Sequence, residues 1–346
     1  MVSAEMTRPD RSAREVLTWS RNLVEPALRA AVDTLPESMR RIAGYHFGWW
    51  DEQGRLAGAD GGKALRPALT LLAAEAVGAQ PTAAVPAAVA VELVHNFSLL
   101  HDDVMDGDVT RRHRPTAWRV FGSSPAILAG DSLLTLAFEV LADSGHPAAQ
   151  PGMRMVAAVV QDLNDGQAAD VAFEHRDDVD LIECVRMAER KTGALLGCSC
   201  AIGALFGQAP DARVASLRCF GARLGLAFQH VDDLLGIWGD PGATGKPVYS
   251  DLHSRKKSLP VVAALTSGTD AGRELAGLYG RDHEPMGIDL AHAADLVDRA
   301  GGRRWTQSRA DTLFTEALDA LSEAMPEPGP AAALTALARL ATHRDH

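Results

Sequence analysis

Aromatic residues make up only 5% of this 346-residue chain, and just three of them are tyrosine. With so few rings and abundant alanine, the composition argues for helices rather than sheets. Cysteine is scarce too. Cys184, Cys198, Cys200 and Cys219 are too few for a disulfide framework in a chain this long. Cys198 and Cys200 form a C-x-C pair with no second pair, so they read as small buried helix residues rather than metal ligands. Positive charge is in deficit: 34 Lys and Arg against 45 Asp and Glu leave a net charge of -11. That excludes a broad nucleic-acid surface and general attraction to anionic membranes. The first twenty residues lack the apolar core of a signal peptide. No run of about 18 uncharged apolar residues is apparent, and the longest candidate, 193–207, is too short to span a bilayer. These absences set the expectation of a cytoplasmic protein without an integral membrane segment.

What is present is globular. Hydrophobic residues are 47% and charged residues 23%, which rules out a disordered or collagen-like chain. Residues 1–10 read as frayed. Apolar spacing is helical from 12 to 50, with interruptions expected near Pro26 and Pro36, and 51–62 reads as a polar, glycine-rich loop. Helices are expected over 63–79, 86–106, 126–142, 152–174, 178–207 with a break near Gly193, 212–239, 258–266, 289–300 and 303–323. Segment 267–288 reads as a mobile loop. No stretch alternates long enough for a strand, and no fixed-period repeat or linker appears. The reading is one all-α domain over 1–346.

Two of these helices end in acid. "HDDVMDGD" carries Asp102, Asp103, Asp106 and Asp108, and "FQHVDDLLGIWGD" carries Gln229, Asp232, Asp233 and Asp240. Asp102 and Asp106 fall about 40° apart on a helix, one turn above the other. Carboxylates stacked this way repel each other, and acid near a helix C-terminus opposes the dipole. A cation between them would offset both costs. An all-oxygen donor set favours a hard ion, above all Mg²⁺ with substrate phosphates.

Cations answer these acids along the chain: Lys63 and Arg66 in "GGKALRP", Arg111 and Arg112 in "TRRHRP", Lys191 in "ERKTG", Lys246 in "TGKP", and Arg255, Lys256 and Lys257 in "SRKKSLP". Arginine suits bidentate phosphate contact and lysine acts as a point charge. Taken singly, each is an ordinary surface residue; their placement near the acids is the signal. His95, His101 and His230 read as packed or capping histidines. "DPGATGK" lacks the spacing and preceding strand of a P-loop. Neither G-x-S-x-G nor H-E-x-x-H occurs, which leaves no support for a serine hydrolase or a zinc peptidase.

"HNFSLLHDDVMDGDVTRRHRPT" and "FQHVDDLLGIWGDPGATGKPVYSDLHSRKKSLP" resemble the two aspartate-rich regions of trans-isoprenyl diphosphate synthases. "GGKALRP", "AGDSLLTLAFEVLA", "NDGQAAD" and "ERKTGALL" match further motifs of that family, in order, across roughly residues 15–320. The resemblance implies a homodimeric, all-α enzyme with helices around a central catalytic cavity. It implies that Asp102 and Asp106 bind two Mg²⁺ and Asp232 a third, with Asp103 and Asp233 in support. Arg111, Lys191, Thr192, Gln229, Lys246 and Lys256 would hold an allylic diphosphate. Lys63, Arg66, His95 and Arg112 would hold isopentenyl diphosphate, and Gln167 and Asp170 would line the site. Three positions depart from the pattern: Gly236 where the second region usually ends in Asp, Ala64 for a common arginine, and His113 where glycine is usual.

Product length follows from the resemblance. Phe97 lies five residues before Asp102, Ser98 lies four before it, and the first region has no two-residue insertion. That combination resembles synthases making geranylgeranyl diphosphate; farnesyl diphosphate is the alternative. Helix geometry puts Ser98 near the azimuth of Asp102 and Phe97 about 140° away, so Phe97 as ordinary core stays open. Two further classes are weighed. A terpene cyclase would not need the second cationic set, and a non-catalytic partner subunit would commonly lack the aspartates.

Overall fold

The computed structural model describes residues 11–58, 62, 64–244, 247–280 and 289–342. In chain order the helices are α1 (Ala13–Asp33), α2 (Glu37–His46), α3 (Leu65–Ala76) and α4 (Val85–Met105). A hairpin of β1 (Thr110–Arg111) and β2 (Arg114–Pro115) comes next. Then come α5 (Ala117–Phe121), α6 (Ser123–Ala142), α7 (Ala149–Phe173), α8 (Leu181–Ala188), α9 (Ala194–Phe206) and α10 (Asp211–Trp238). The chain continues through α11 (Pro241–Thr244), α12 (Ser250–His253), α13 (Leu259–Leu265), α14 (Asp270–Tyr279), α15 (Leu290–Arg299), α16 (Gly302–Glu323) and α17 (Pro328–Thr342). The fold is all-α, as the composition implies.

The chain forms two compact units. One comprises the described residues of 1–160, 195–221 and 318–340; the other comprises those of 161–194, 222–317 and 341–346. In the first unit, α4 packs along α6. From Ala87 to Val94 every residue of α4 is buried, Glu92 included. In the second unit, Phe173, Val179, Cys184, Met187, Leu226, Leu259, Val262 and Leu313 form one core cluster. Ile237, Leu252, Val261, Leu275, Leu296 and Val297 form another.

Local chemistry sets the helix ends. Ser12 and Asp180 open α1 and α8 with reciprocal capping boxes to Glu15 and Glu183. Thr269 and Asp289 cap α14 and α15. Pro26 lies inside α1 without ending it, and the break comes at Pro36, the N-cap of α2. The expected break near Gly193 is a single π turn, Glu189–Gly193, between α8 and α9.

Several expectations change. Residues 270–279 of the expected mobile loop are helical, α17 had no counterpart in the sequence reading, and a two-residue hairpin stands where no strand was expected. Two helices, 81–105 and 123–142, are long and apolar enough to cross a membrane by length and composition. Both contain acidic residues, Glu92 in the first and Asp131 in the second among them, so neither is an uncharged run of the kind sought in the sequence. Two-thirds of the 81–105 window is buried within the protein, as in a core helix. Cys198 and Cys200 are buried in α9, and burial pushes the Cys198 thiol up to about 12.

Candidate active site

Asp102 lies in the last turn of α4, and Asp106 caps that helix with right-handed backbone. The Asp106 N–H donates to the Asp102 carbonyl at 2.8 Å, which keeps the two residues one turn apart. Asp103 faces the other way and is 1% exposed. Burial pushes its carboxyl up to about 6 even though Arg111 Nε donates to its Oδ1 at 2.6 Å. Its Oδ2 is buried without a hydrogen-bond partner. Arg111, read from sequence as a diphosphate contact, therefore pairs first with Asp103.

The hairpin explains the neighbouring arginine. Arg111 pairs with Arg114, and the two-residue turn between them has Arg112 at φ 51° and His113 at φ 60°. Both are left-handed, the geometry of a type I′ turn, and this is why a glycine fits at position 113. The turn sends Arg112 toward Gly62, where a Cβ would lie 2.7 Å from its Nη2. Arg112 joins Arg66 on α3 and His95 on α4: Arg66 Nη1 lies 3.0 Å from His95 Nε2, and Arg112 lowers the affinity of both for protons. Burial brings Arg66 down to about 10, and its Nε has no partner. Burial, then Arg66, Arg112 and Arg111, hold His95 well below its usual range, so its imidazole is neutral.

Sequence reasoning missed two members of this group. His46 closes α2, is held neutral by burial and by Arg112, Arg111 and Arg114, and has an unpartnered Nε2. Glu92 is buried on α4, and its carboxyl is pushed up by burial against the pull of Arg66. Asn96 Nδ2 donates to its Oε1 at 3.1 Å. A lone Glu within the apolar run "AAVAVELV" was the available signal. Lys63 lies outside the described residues. Phe97 is buried, its ring edge-on to His101 at 4.9 Å, and Ser98 Oγ donates back to the His95 carbonyl.

The second unit holds the remaining predicted residues except Lys246, which lies outside the described residues. The π turn presents Lys191 and Thr192 side by side. Such turns carry one residue more than an α turn and recur at functional sites. Lys191 Nζ donates to Asp170 Oδ2 at 2.5 Å. Burial would raise Asp170, but Lys191 and Lys256 hold its carboxyl below the usual range. Gln167 is half-buried on α7 one turn before Asp170. Thr192 Oγ1 donates to Gln229 Oε1 at 2.6 Å, and Gln229 Nε2 donates to Asp233 Oδ1 at 2.7 Å. The Leu259 N–H donates to Asp233 Oδ2 at 2.9 Å, so both Asp233 oxygens are engaged within the protein. Asp233 is buried, and burial pushes it up to about 7. It ties α13 to α10, whereas Asp232 is exposed.

Lys256 is the electrostatic centre of this unit. Burial alone would lower it, but Asp233, Asp170, Asp251 and Asp232 together raise its affinity for the proton. Four carboxylates against the ammonium groups of Lys256 and Lys191 leave an excess of negative charge, which suits a hard divalent cation. Among the described residues no three His, Cys, Asp or Glu side chains form a ready-made metal cage.

A family model described as polyprenyl synthetase matches residues 52–294. The (2E,6E)-farnesyl diphosphate synthase of Mycobacterium tuberculosis is 48% identical over 340 residues, covering 97% of this chain and 95% of that protein. The geranylgeranyl diphosphate synthase of the same organism is 46% identical over 321 residues, covering 92% and 91%. The crystal structure of a polyprenyl synthetase from Streptomyces coelicolor A3(2) superposes with a TM-score of 0.89 at 49% identity, covering 94% of this chain and 98% of that one.

Proposed function

The chain belongs to the trans-isoprenyl diphosphate synthases, prenyltransferases by family, and from that premise we propose that it condenses isopentenyl diphosphate with an allylic diphosphate to give geranylgeranyl diphosphate. The observation that supports this reading is the cluster of Arg66, Arg112 and the neutral His46 and His95. A chain-elongating enzyme needs a second anion site that works without metal. A cyclase does not.

Asp102, Asp106 and Asp232 would hold Mg²⁺. When bound, the metal supplies charge neutralisation for a departing pyrophosphate. Lys191, Thr192, Gln229, Lys246 and Lys256 orient the allylic diphosphate, with Gln167 and Asp170 beside it. Lys191 leaves Asp170 for the substrate, and Asp170 then faces the developing cation. Arg66 and Arg112, permanently charged, grip isopentenyl diphosphate, and Lys63 joins them. His95, already neutral, contributes a hydrogen bond without a second positive charge. Holding the double bond against the allylic carbon turns a bimolecular encounter into a local one. The allylic C–O bond breaks, the double bond of isopentenyl diphosphate forms the new C–C bond, and a proton leaves to the pyrophosphate. Water is kept from the cation by apolar side chains. The chain acts as one catalytic domain in a cytoplasmic homodimer with three Mg²⁺ per site, as the resemblance implies.

The farnesyl product is the second reading. It is favoured by the 48% identity to a farnesyl diphosphate synthase. The deciding experiment incubates the purified protein with Mg²⁺, isopentenyl diphosphate and, in turn, dimethylallyl, geranyl or farnesyl diphosphate, then identifies the dephosphorylated alcohols by mass spectrometry. Geranylgeraniol as the longest alcohol supports the first reading and farnesol the second. No elongated alcohol from any starter would refute the synthase assignment.

A further inference from the structure

The hairpin that carries Arg111 and Arg112 has strands of two residues each. Pairing that short does not hold a shape by itself. Its turn is also costly: Arg112 and His113 both keep left-handed backbone, which residues other than glycine retain only where the surroundings impose it. Two anchors impose it here. On one side Arg111 Nε donates to Asp103 on α4. On the other, Arg114, the partner of Arg111 across the hairpin, reaches α2 and the loop that follows it. Arg114 Nη1 donates to the Tyr45 carbonyl and Nη2 to the Trp50 carbonyl, both at 3.1 Å. Its guanidinium lies over the Tyr45 ring at 4.3 Å. Tyr45 returns the contact, its hydroxyl donating to the Pro115 carbonyl at 2.8 Å. The receiving side is itself fixed. Tyr45 is 3% exposed, with its ring edge-on to Phe121 at 5.3 Å. The Trp50 ring packs over Gly44, in the space a Cβ would need, and Trp50 Nε1 donates to the Arg41 carbonyl at 2.8 Å.

We infer that Arg114 is a positioning residue for isopentenyl diphosphate: by clasping the hairpin to α2 it fixes the turn that carries Arg112, and so aims the Arg112 guanidinium toward Gly62 and the Arg66–His95 pair. Arg114 acts through Arg112 and not on the diphosphate, because both of its outer nitrogens are spent on backbone carbonyls. The role needs a guanidinium. A planar fork spans two carbonyls while its face rests on a ring, whereas a lysine ammonium is a point donor. The motif "TRRHRP" gave Arg114 no role, since only the folded chain brings the ends of α2 and the hairpin together. The inference rests on the synthase reading and adds to it a residue outside the substrate contacts.

The test is a double-mutant cycle between Arg114 and Arg112. The wild type is compared with Arg114→Met, Arg114→Lys, Tyr45→Phe, Arg112→Ala, and the double variant Arg112→Ala with Arg114→Met. Binding of isopentenyl diphosphate is measured by calorimetry without Mg²⁺, and kcat and the KM of each substrate in the condensation assay with it. Arg114→Met is expected to weaken isopentenyl diphosphate binding and raise its KM by about 10–100-fold, the scale of a misplacement near 1 Å. The KM of the allylic diphosphate should move by less than about 2-fold, because Arg111 keeps its own anchor on Asp103, and kcat at saturation should change little. Arg114→Lys should resemble Arg114→Met. Tyr45→Phe, which keeps the ring and loses one hydrogen bond, should raise the KM of isopentenyl diphosphate by about 2–10-fold. In the Arg112→Ala background, Arg114→Met should add no more than about 2-fold, since the group it positions is gone. Additive losses in the double variant, equal losses for both substrates, or wild-type binding in Arg114→Lys would overturn the assignment of Arg114 alone. If Arg114→Met does not fold, Tyr45→Phe decides, and an unchanged KM for isopentenyl diphosphate overturns it. A wild type that binds no isopentenyl diphosphate would overturn the synthase reading with it.

Discussion

Gly166→Ala isolates the contact that places Lys191 and Thr192. Gly166 faces the π turn, and an added Cβ would lie 2.6 Å from the Lys191 nitrogen, 3.0 Å from its Cα and 3.1 Å from the Arg190 carbonyl carbon. All three are backbone atoms, so no side chain can swing aside. Ordinary contact begins near 3.4 Å, so α7 and the turn must part by about 0.8 Å. Two effects oppose each other. Alanine in a helix interior is favoured over glycine by about 0.5–1 kcal/mol. Overpacking against rigid backbone costs about 1–3 kcal/mol. The steric term wins, and a net loss of about 1–2 kcal/mol is expected in urea unfolding. Catalysis should suffer more, because a misplacement of about 1 Å can cost on the order of 100-fold. The condensation assay with radiolabelled isopentenyl diphosphate should show kcat/KM down by roughly 10–100-fold. Gly277→Ala on α14, where an added Cβ meets nothing within 4 Å, is the control and should be neutral or slightly stabilising. If Gly166→Ala matches that control in both stability and turnover, the reasoning about this contact is wrong.

Asp102→Ala should lower turnover by orders of magnitude, since a lost metal ligand costs several kcal/mol at the transition state; near-normal turnover in steady-state kinetics would remove Asp102 from the metal set. Phe97→Ala is expected to shift products to longer chains. If Phe97 is only core, the variant will instead lose about 3–5 kcal/mol of stability with an unchanged product distribution. His230 is buried against Trp305 at 5.4 Å with neither ring nitrogen bonded, and burial, aided by Arg309, brings it down to about 3. Its folded value lies below the unfolded one, so its contribution is present above pH 6.5 and is lost as pH falls toward 3. His230→Leu should therefore gain on the wild type by about 1.4 kcal/mol per pH unit below 6.5. Urea unfolding at pH 7.5 and pH 5.5 measures this, and an unchanged gap between the two proteins would contradict it.

The sequence carried much of the site because its signals are local. Acid at the ends of apolar helices, and cations close to glycine or proline, are visible at spacings of a few residues. Arg66, His95 and Arg112, which the resemblance assigned to one diphosphate, lie together, whereas the pairing of Lys191 with Asp170 was not read from the chain. Other roles were not legible. The resemblance gave Asp103 and Asp233 a supporting role beside Asp102 and Asp232, but their burial is not visible in a string. About 100° of helix rotation turns each of them into the protein, where their oxygens are engaged or dry. His46 had no motif at all, and its role comes from the hairpin arginines that pack beside it.

Taken alone, the amino-acid sequence determined the helical class, the two acidic helix ends and the family, because periodicity and short motifs act over a turn or two of chain. Only the tertiary structure decided which acid of each pair is buried, why position 113 favours glycine, and that Arg114 ties the hairpin to α2. Those outcomes depend on backbones from separate segments approaching within a van der Waals contact, and no spacing along the chain encodes that.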